Sequence, residues 1–270
     1  MFMDRIRNSW GLAKSSWEVL KKDKELALLP VMAFFIGIAA AAIFFVPAAL
    51  SADDQGGLGG LGMLLVAVGV LVFTFTSVFF QGALVHGANE RLTGGDPTVS
   101  SAVKGAMGRV HRLAPWALAV VTVNLIIRIL RERLPLGNFI GALAQGAWEV
   151  LTFLVMPIMI IEDLGPIDAV KKSSAYFKKT WGENLAARVG FGLLGIGLMI
   201  PAILLIAVGI SLGGIGAVVF IAAAVVWIAV VSAGLAALNA IFQTVLYWYV
   251  VQGTVADGFG TELESAFGRK

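Results

Sequence analysis

Hydrophobic and polar positions alternate along this chain on the scale of whole segments. Apolar runs at 26–50, 58–80, 113 to about 130, 139–161, 185–211 and 215 to about 251 are separated by short polar stretches. Each is close to or above the ~20 residues that an α-helix needs to cross a hydrocarbon core about 30 Å thick. The pattern predicts an all-α, polytopic membrane protein with six transmembrane helices. The first run exceeds the roughly 7–15 apolar residues of a cleaved secretory signal, so it reads as a span. The second and sixth, continued through Arg91 and Val251, would measure roughly 50–55 Å at 1.5 Å per residue. Gln81-Gly82 favours a break or tilt in the second, whereas the sixth is expected to continue as one long helix.

Three of the polar stretches, 5–24, 97–112 and 166–181, resemble one another. Each mixes lysine or arginine with small and bulky apolar residues. In the last, Ile167, Val170, Ser174 and Phe177 fall at helical spacing, opposite Lys171, Lys172 and Lys179. In the first, Ile6, Trp10, Ala13, Trp17 and Leu20 form the apolar stripe. Such helices lie in the membrane interface with a basic face towards anionic headgroups. Asp96-Pro97 and Gly165-Pro166 are helix-start signals. The expected unit is an interfacial helix followed by a transmembrane hairpin, repeated three times at about 1–93, 94–163 and 164–252, with a tail at 253–270. Together these form a single membrane domain of three hairpins. Phe80-Gln81 and Phe242-Gln243 occupy corresponding places, with Met156-Pro157 as the middle counterpart.

Charge gives the spans a direction. All but three of the 20 lysines and arginines lie before the first span, between the second and third, between the fourth and fifth or just inside the fifth (Arg188), or in the tail. Among them are Lys21, Lys22, Lys24, Arg109, Arg112, Lys171, Lys172, Lys178 and Lys179, candidate contacts for anionic lipid headgroups or a protein partner. The positive-inside tendency places these segments and both termini in the cytoplasm. The exceptions, Arg128, Arg131 and Arg133, cluster with Glu132 on the other side. There they read either as contacts to outer-leaflet phosphates or as a helix end whose arginines snorkel to headgroups. Composition removes other classes: 59% apolar and 14% charged residues do not make an ordinary soluble domain. The absence of cysteine excludes thiol chemistry. With only His86 and His111 no metal centre is expected, nor is a cofactor or catalytic set. The basic segments are interleaved with apolar residues, so nucleic acid is not an expected partner.

Glu149 is the most informative single residue, because it falls near the middle of the fourth span. An ionisable group there costs about 2.5 kcal/mol or more and belongs against a protein or water interior. Arg128, about 6 Å away in depth, is its expected partner, and Asn124 would extend the polar stripe one turn along the third span. Asn124, Arg128 and Glu149 are thus a candidate intramembrane polar site; an ion pair pinning two helices is the structural alternative. Tyr247, Trp248 and Tyr249, with Trp10, Trp17, Trp116 and Trp181, are expected to form an interfacial aromatic belt.

Glu162-Asp163-Leu164-Gly165-Pro166, running into Asp168-Ala169-Val170-Lys171-Lys172-Ser173, resembles the inter-hairpin segment of uncharacterised bacterial six-helix membrane proteins. That set is similar in layout to the membrane domain attached to some glycerophosphodiester phosphodiesterases. The resemblance implies a fold and no reaction, because the catalytic barrel of those enzymes has no counterpart here. With the charge pattern it places the chain in a bacterial cytoplasmic membrane. The function expected is a non-catalytic scaffold or a lipid- or partner-binding component of a membrane complex, with a second copy or another membrane or cytoplasmic protein as the candidate partner. The alternative is a transporter or channel for a small solute, ion or lipid, with its path near Asn124, Arg128 and Glu149.

Overall fold

A computed structural model describes Ser16, Glu18, Lys21 and residues 24–52, 57–180 and 191–253. All regular structure among these residues is helical, apart from one isolated bridge between Ala52 and Leu58. After a 3-10 turn at Lys24–Ala27 come α1 (Leu28–Leu50), α2 (Gly60–Leu92), α3 (Val99–Met107), α4 (Val110–Arg133) and α5 (Gly137–Thr152). They are followed by α6 (Val155–Glu162), α7 (Pro166–Thr180), α8 (Phe191–Leu212) and α9 (Gly214–Gln252). Glu25–Leu50, Gly60–Leu92, Val110–Arg133, Gly137–Glu162 and Gly214–Val251 are long and apolar enough to cross a membrane, and α8 carries a shorter apolar stretch. The chain is a membrane protein.

The helix boundaries follow from local chemistry. α2 ends where Thr93 Oγ1 donates to the Asn89 carbonyl at 2.9 Å and Gly94 takes a positive φ of 87°. Only glycine adopts that conformation without strain. Thr98 then caps α3: its hydroxyl accepts from the Ser101 amide, and Ser101 Oγ accepts from the Thr98 amide, both at 3.0 Å. This is a reciprocal capping box, and it satisfies two amides that a helix start leaves free. Between α5 and α6 the fourth apolar run breaks, where a single helix had been expected. Pro157 has no N–H, and its ring crowds the carbonyl four residues earlier, so the α-helical ladder cannot pass through Phe153. The amide of Leu154 at the break donates instead to Ser173 Oγ of α7 at 3.3 Å.

The second apolar run, by contrast, shows no break at Gln81-Gly82. α2 is one continuous helix of 33 residues and α9 one of 39, about 50 and 58 Å long. Gly82 lies where α2 meets Leu113 of α4 and Ile160 of α6, within 3.1–3.4 Å of the place a Cβ would occupy. Its role is close packing, so the helix has no reason to bend there.

The packed core sits at one end of the bundle, which also carries Lys104, Arg109, Arg112, Lys171 and Lys172. Leu26, Leu113, Leu154, Ile158, Ile241 and Leu246 are all essentially inaccessible there. Away from this end α1, α8 and the first half of α9 expose apolar side chains such as Phe35, Ile203 and Val226. That division suits helices whose one half is held by protein and whose other half faces acyl chains.

Polar ties hold the packed end. Glu162 accepts from Tyr247 Oη of α9 at 2.9 Å and from Lys172 Nζ of α7. Trp248 Nε1 donates to Asn89 Oδ1 of α2 at 2.9 Å, and Ser101 Oγ donates to Glu90 Oε2 at 2.7 Å. Tyr247 and Tyr249 are therefore buried, and Trp116 is buried against Trp148. These three do not form the aromatic belt expected of them; Trp10, Trp17 and Trp181 lie outside the described residues.

Candidate functional site

Where α2, α4, α5 and α9 meet, a groove of about 990 Å³ opens in the bundle. α2 contributes Thr74, Ser77 and Gln81, which share one face because they are three and seven residues apart. α9 contributes Asn239 and Gln243, four residues apart, and α5 contributes Glu149. Trp116 of α4 and Trp148 of α5 form part of the wall, stacked with ring centroids 5.7 Å apart and planes at 26°. A second cavity of about 440 Å³ lies between α1, α2 and α9 and shares Ser77, Gln81 and Asn239 with the first.

Gln81 Nε2 approaches Gln243 Oε1 at 3.5 Å, so the two corresponding Phe-Gln pairs do meet. At that length the bond is weak, and Gln243 is 95% buried, so its amide has potential to spare inside the groove. Glu149 is exposed along the open groove and accepts one hydrogen bond among the described residues, from Gln145 Nε2 at 2.9 Å. Its second carboxyl oxygen is left for another donor. Glu149 is also the one charged residue among the described lining residues.

The expected triad does not assemble. Arg128 pairs with Glu132 on its own helix at 2.8 Å, with its side chain 75% exposed, and does not reach Glu149. A partner one turn away costs less side-chain entropy than one on the next helix. Asn124 is exposed as well. It lies one turn beyond Val120, the last residue of α4 that lines the groove. Of the three, Glu149 alone belongs to the site. Thr74, Ser77, Gln81, Asn239 and Gln243 join it, and their signal in the sequence was polar residues recurring at helical spacing within otherwise apolar spans.

The candidate headgroup contacts are largely engaged within the protein. Lys21 pairs with Glu18 at 3.0 Å, Lys171 with Asp168 at 3.8 Å, and Arg112 lies 3.6 Å from Asp163. Lys172 pairs with Glu162, whose hydrogen bond raises the lysine pKa above its ordinary value. Arg109 Nη1 donates to the Gly105 carbonyl at 3.1 Å, and Arg131 Nη2 to the Gly141 carbonyl at 3.5 Å. Arg133 is exposed. Lys22 and the side chains of Lys24, Lys178 and Lys179 lie outside the described residues. On α7 the buried face is Ala169 and Ser173, while Ile167 is 72% exposed. The predicted stripe is thus rotated, because α7 packs on α6 through its small residues. Among the described residues no group of three His, Asp or Glu side chains is placed to hold a metal ion.

The profile of a family of unknown function, DUF6159, matches residues 60–259, which include every helix that lines the groove. The chain belongs to that family. This DUF6159 membership agrees with the resemblance to uncharacterised membrane proteins and shows no link to the glycerophosphodiester phosphodiesterases. No curated protein and no solved structure matches the chain.

Proposed function

We propose that this DUF6159 protein is a non-catalytic, six-span membrane protein that binds a lipid-like amphiphile in the groove beside Glu149. The six spans form three hairpins, α1–α2, α4–α6 and α8–α9, and the packed basic end faces the cytoplasm together with both termini. The membrane is a bacterial cytoplasmic membrane, as the lysine and arginine pattern favours. The three hairpins descend from one repeated unit, with α3 and α7 as corresponding short helices.

One observation carries this reading. A groove lined by several polar groups with hydrogen-bonding capacity to spare stands among helices otherwise selected for lipid contact. Unsatisfied polar groups are costly inside a membrane, so such a cluster is retained where something occupies it. Its volume, about 990 Å³, is at the upper end of small-molecule sites. The scaffold reading finds less support, since the described cations are largely paired with the protein's own carboxylates and carbonyls.

Native mass spectrometry of the gently solubilised protein tests the proposal. Gly146 lines the groove, and a Cβ added there meets nothing within 4 Å. Gly146→Trp therefore brings an indole to the groove with no clash at its Cβ. Wild type should retain a defined amphiphile that Gly146→Trp loses; identical retained ligands would overturn the reading.

A further inference from the structure

The groove's charge and aromatic content narrow the chemistry of what it holds. We propose that its ligand is a lipophilic organic cation that carries no phosphate; this rests on the groove being the binding site. The described lining has one charged group, the carboxylate of Glu149, and that group has an oxygen without a partner. Beside it in the wall are the stacked indoles of Trp116 and Trp148, with Phe153 next along. An exposed carboxylate on an otherwise apolar wall attracts a cation more than it would in bulk water, and indole faces attract cations through the ring quadrupole.

The same lining argues against a phospholipid headgroup. Phosphate is recognised by arginine, lysine or a helix N-terminus. None of the described lining residues is arginine or lysine. The nearest arginine of α4 to have been expected at the site, Arg128, is exposed and held by Glu132. A phosphate in the groove would meet the Glu149 carboxylate with no compensating cation. The side-chain amides of Gln81, Asn239 and Gln243 can serve neutral hydroxyl or amide groups on the same ligand, because each offers both a donor and an acceptor.

Tetraphenylphosphonium and tetraphenylborate share one shape and differ in the sign of their charge, so they isolate the electrostatic part of the argument. Binding of radiolabelled tetraphenylphosphonium is measured on the full chain in dodecyl maltoside, with wild type, Glu149→Gln, Glu149→Asp and Gly146→Trp. Saturable binding of the phosphonium is expected for wild type, and no saturable binding of radiolabelled tetraphenylborate, measured in a separate sample because the two ions pair with each other. Glu149→Gln should weaken it by about tenfold or more, Glu149→Asp should keep most of it, and Gly146→Trp should abolish it. Equal binding by Glu149→Gln would overturn the proposal, as would saturable tetraphenylborate binding that Gly146→Trp loses. If wild type fails to bind the cation yet retains a neutral amphiphile that Gly146→Trp loses, the charge assignment alone is wrong. If Gly146→Trp binds the cation and retains amphiphile as wild type does, the groove is not the site and both readings fall.

Discussion

Replacing Gly105 with alanine should loosen the packed end of the protein by an amount that the geometry allows to be worked out. A Cβ at Gly105 would stand 2.2, 2.3 and 2.4 Å from three ring atoms of His86. Favourable contact between such atoms needs about 3.5–4.0 Å. The ring cannot clear the methyl by a small rotation, because two of the three atoms are Cγ and Cδ2, close to its own Cβ. Either α3 must lift from α2 by about an ångström or His86 must change rotamer, and overpacking of this kind costs about 1–3 kcal/mol. The added methyl also gains up to about 1 kcal/mol of helix propensity. Gly108→Ala corrects in part for that gain, since Gly108 has a helical φ of −60° and only backbone oxygens at 3.7 and 3.8 Å. Unfolding in mixed dodecyl maltoside and dodecyl sulfate micelles, followed by circular dichroism, should place Gly105→Ala about 1–3 kcal/mol below Gly108→Ala. Adding His86→Ala to Gly105→Ala should recover most of the difference relative to His86→Ala alone. Equal stability of Gly105→Ala and Gly108→Ala would refute the docking of α3 on α2 and leave α3 free on the membrane surface.

Ser173→Ala removes the acceptor for the Leu154 amide at the α5–α6 break, a buried donor with no helical partner. A loss of about 1–3 kcal/mol is expected in the same assay. Lys172 gains a partner on folding, and its pKa rises through the hydrogen bond to Glu162. Its contribution is therefore complete below the ordinary lysine value of 10.5 and is lost as pH rises through the higher folded value. Hydrogen exchange of α7 should consequently stay constant through neutral pH once intrinsic rates are corrected, and Lys172→Met should raise it at pH 7. Arg128→Gln should leave both the unfolding curve and cation binding unchanged, because Arg128 is exposed and its polar partner among the described residues is Glu132 on its own helix.

Segment-scale hydropathy made the helices legible: the ends of α1, α4 and α9 fall within about three residues of the apolar runs. What the pattern could not supply was the rotation of each helix about its axis. Asn124 and Arg128 looked like neighbours of Glu149 by depth, yet depth says nothing of azimuth, and α4 turns Trp116 to the groove instead. The aromatic cluster at 247–249 was misread for a related reason. Tyrosine and tryptophan serve equally well at a membrane surface and as buried donors, and only the positions of Glu162 and Asn89 decide between the two. The helix break after Thr152 was only partly legible: Pro157 removes one ladder bond, yet Pro47 and Pro201 sit inside continuous helices, and the Ser173 hydroxyl that takes the Leu154 amide comes from another helix. The approach of Gln81 to Gln243 was not read from the sequence, because similar depth in two helices does not say that they are neighbours.

The account depends most on Glu149 standing in a water-accessible groove within the membrane, as opposed to facing lipid. The chain has no cysteine, so a single introduced thiol reports without background. Gly146→Cys places that thiol in the groove, and Gly197→Cys places it on the exposed face of α8; neither added side chain meets another atom within 4 Å. Reaction of each variant with a hydrophilic methanethiosulfonate reagent in membranes is the direct measurement. Cys at 146 should label readily and be protected by tetraphenylphosphonium, while Cys at 197 stays unreactive. A thiol at 146 as inert as the one at 197 would contradict the account.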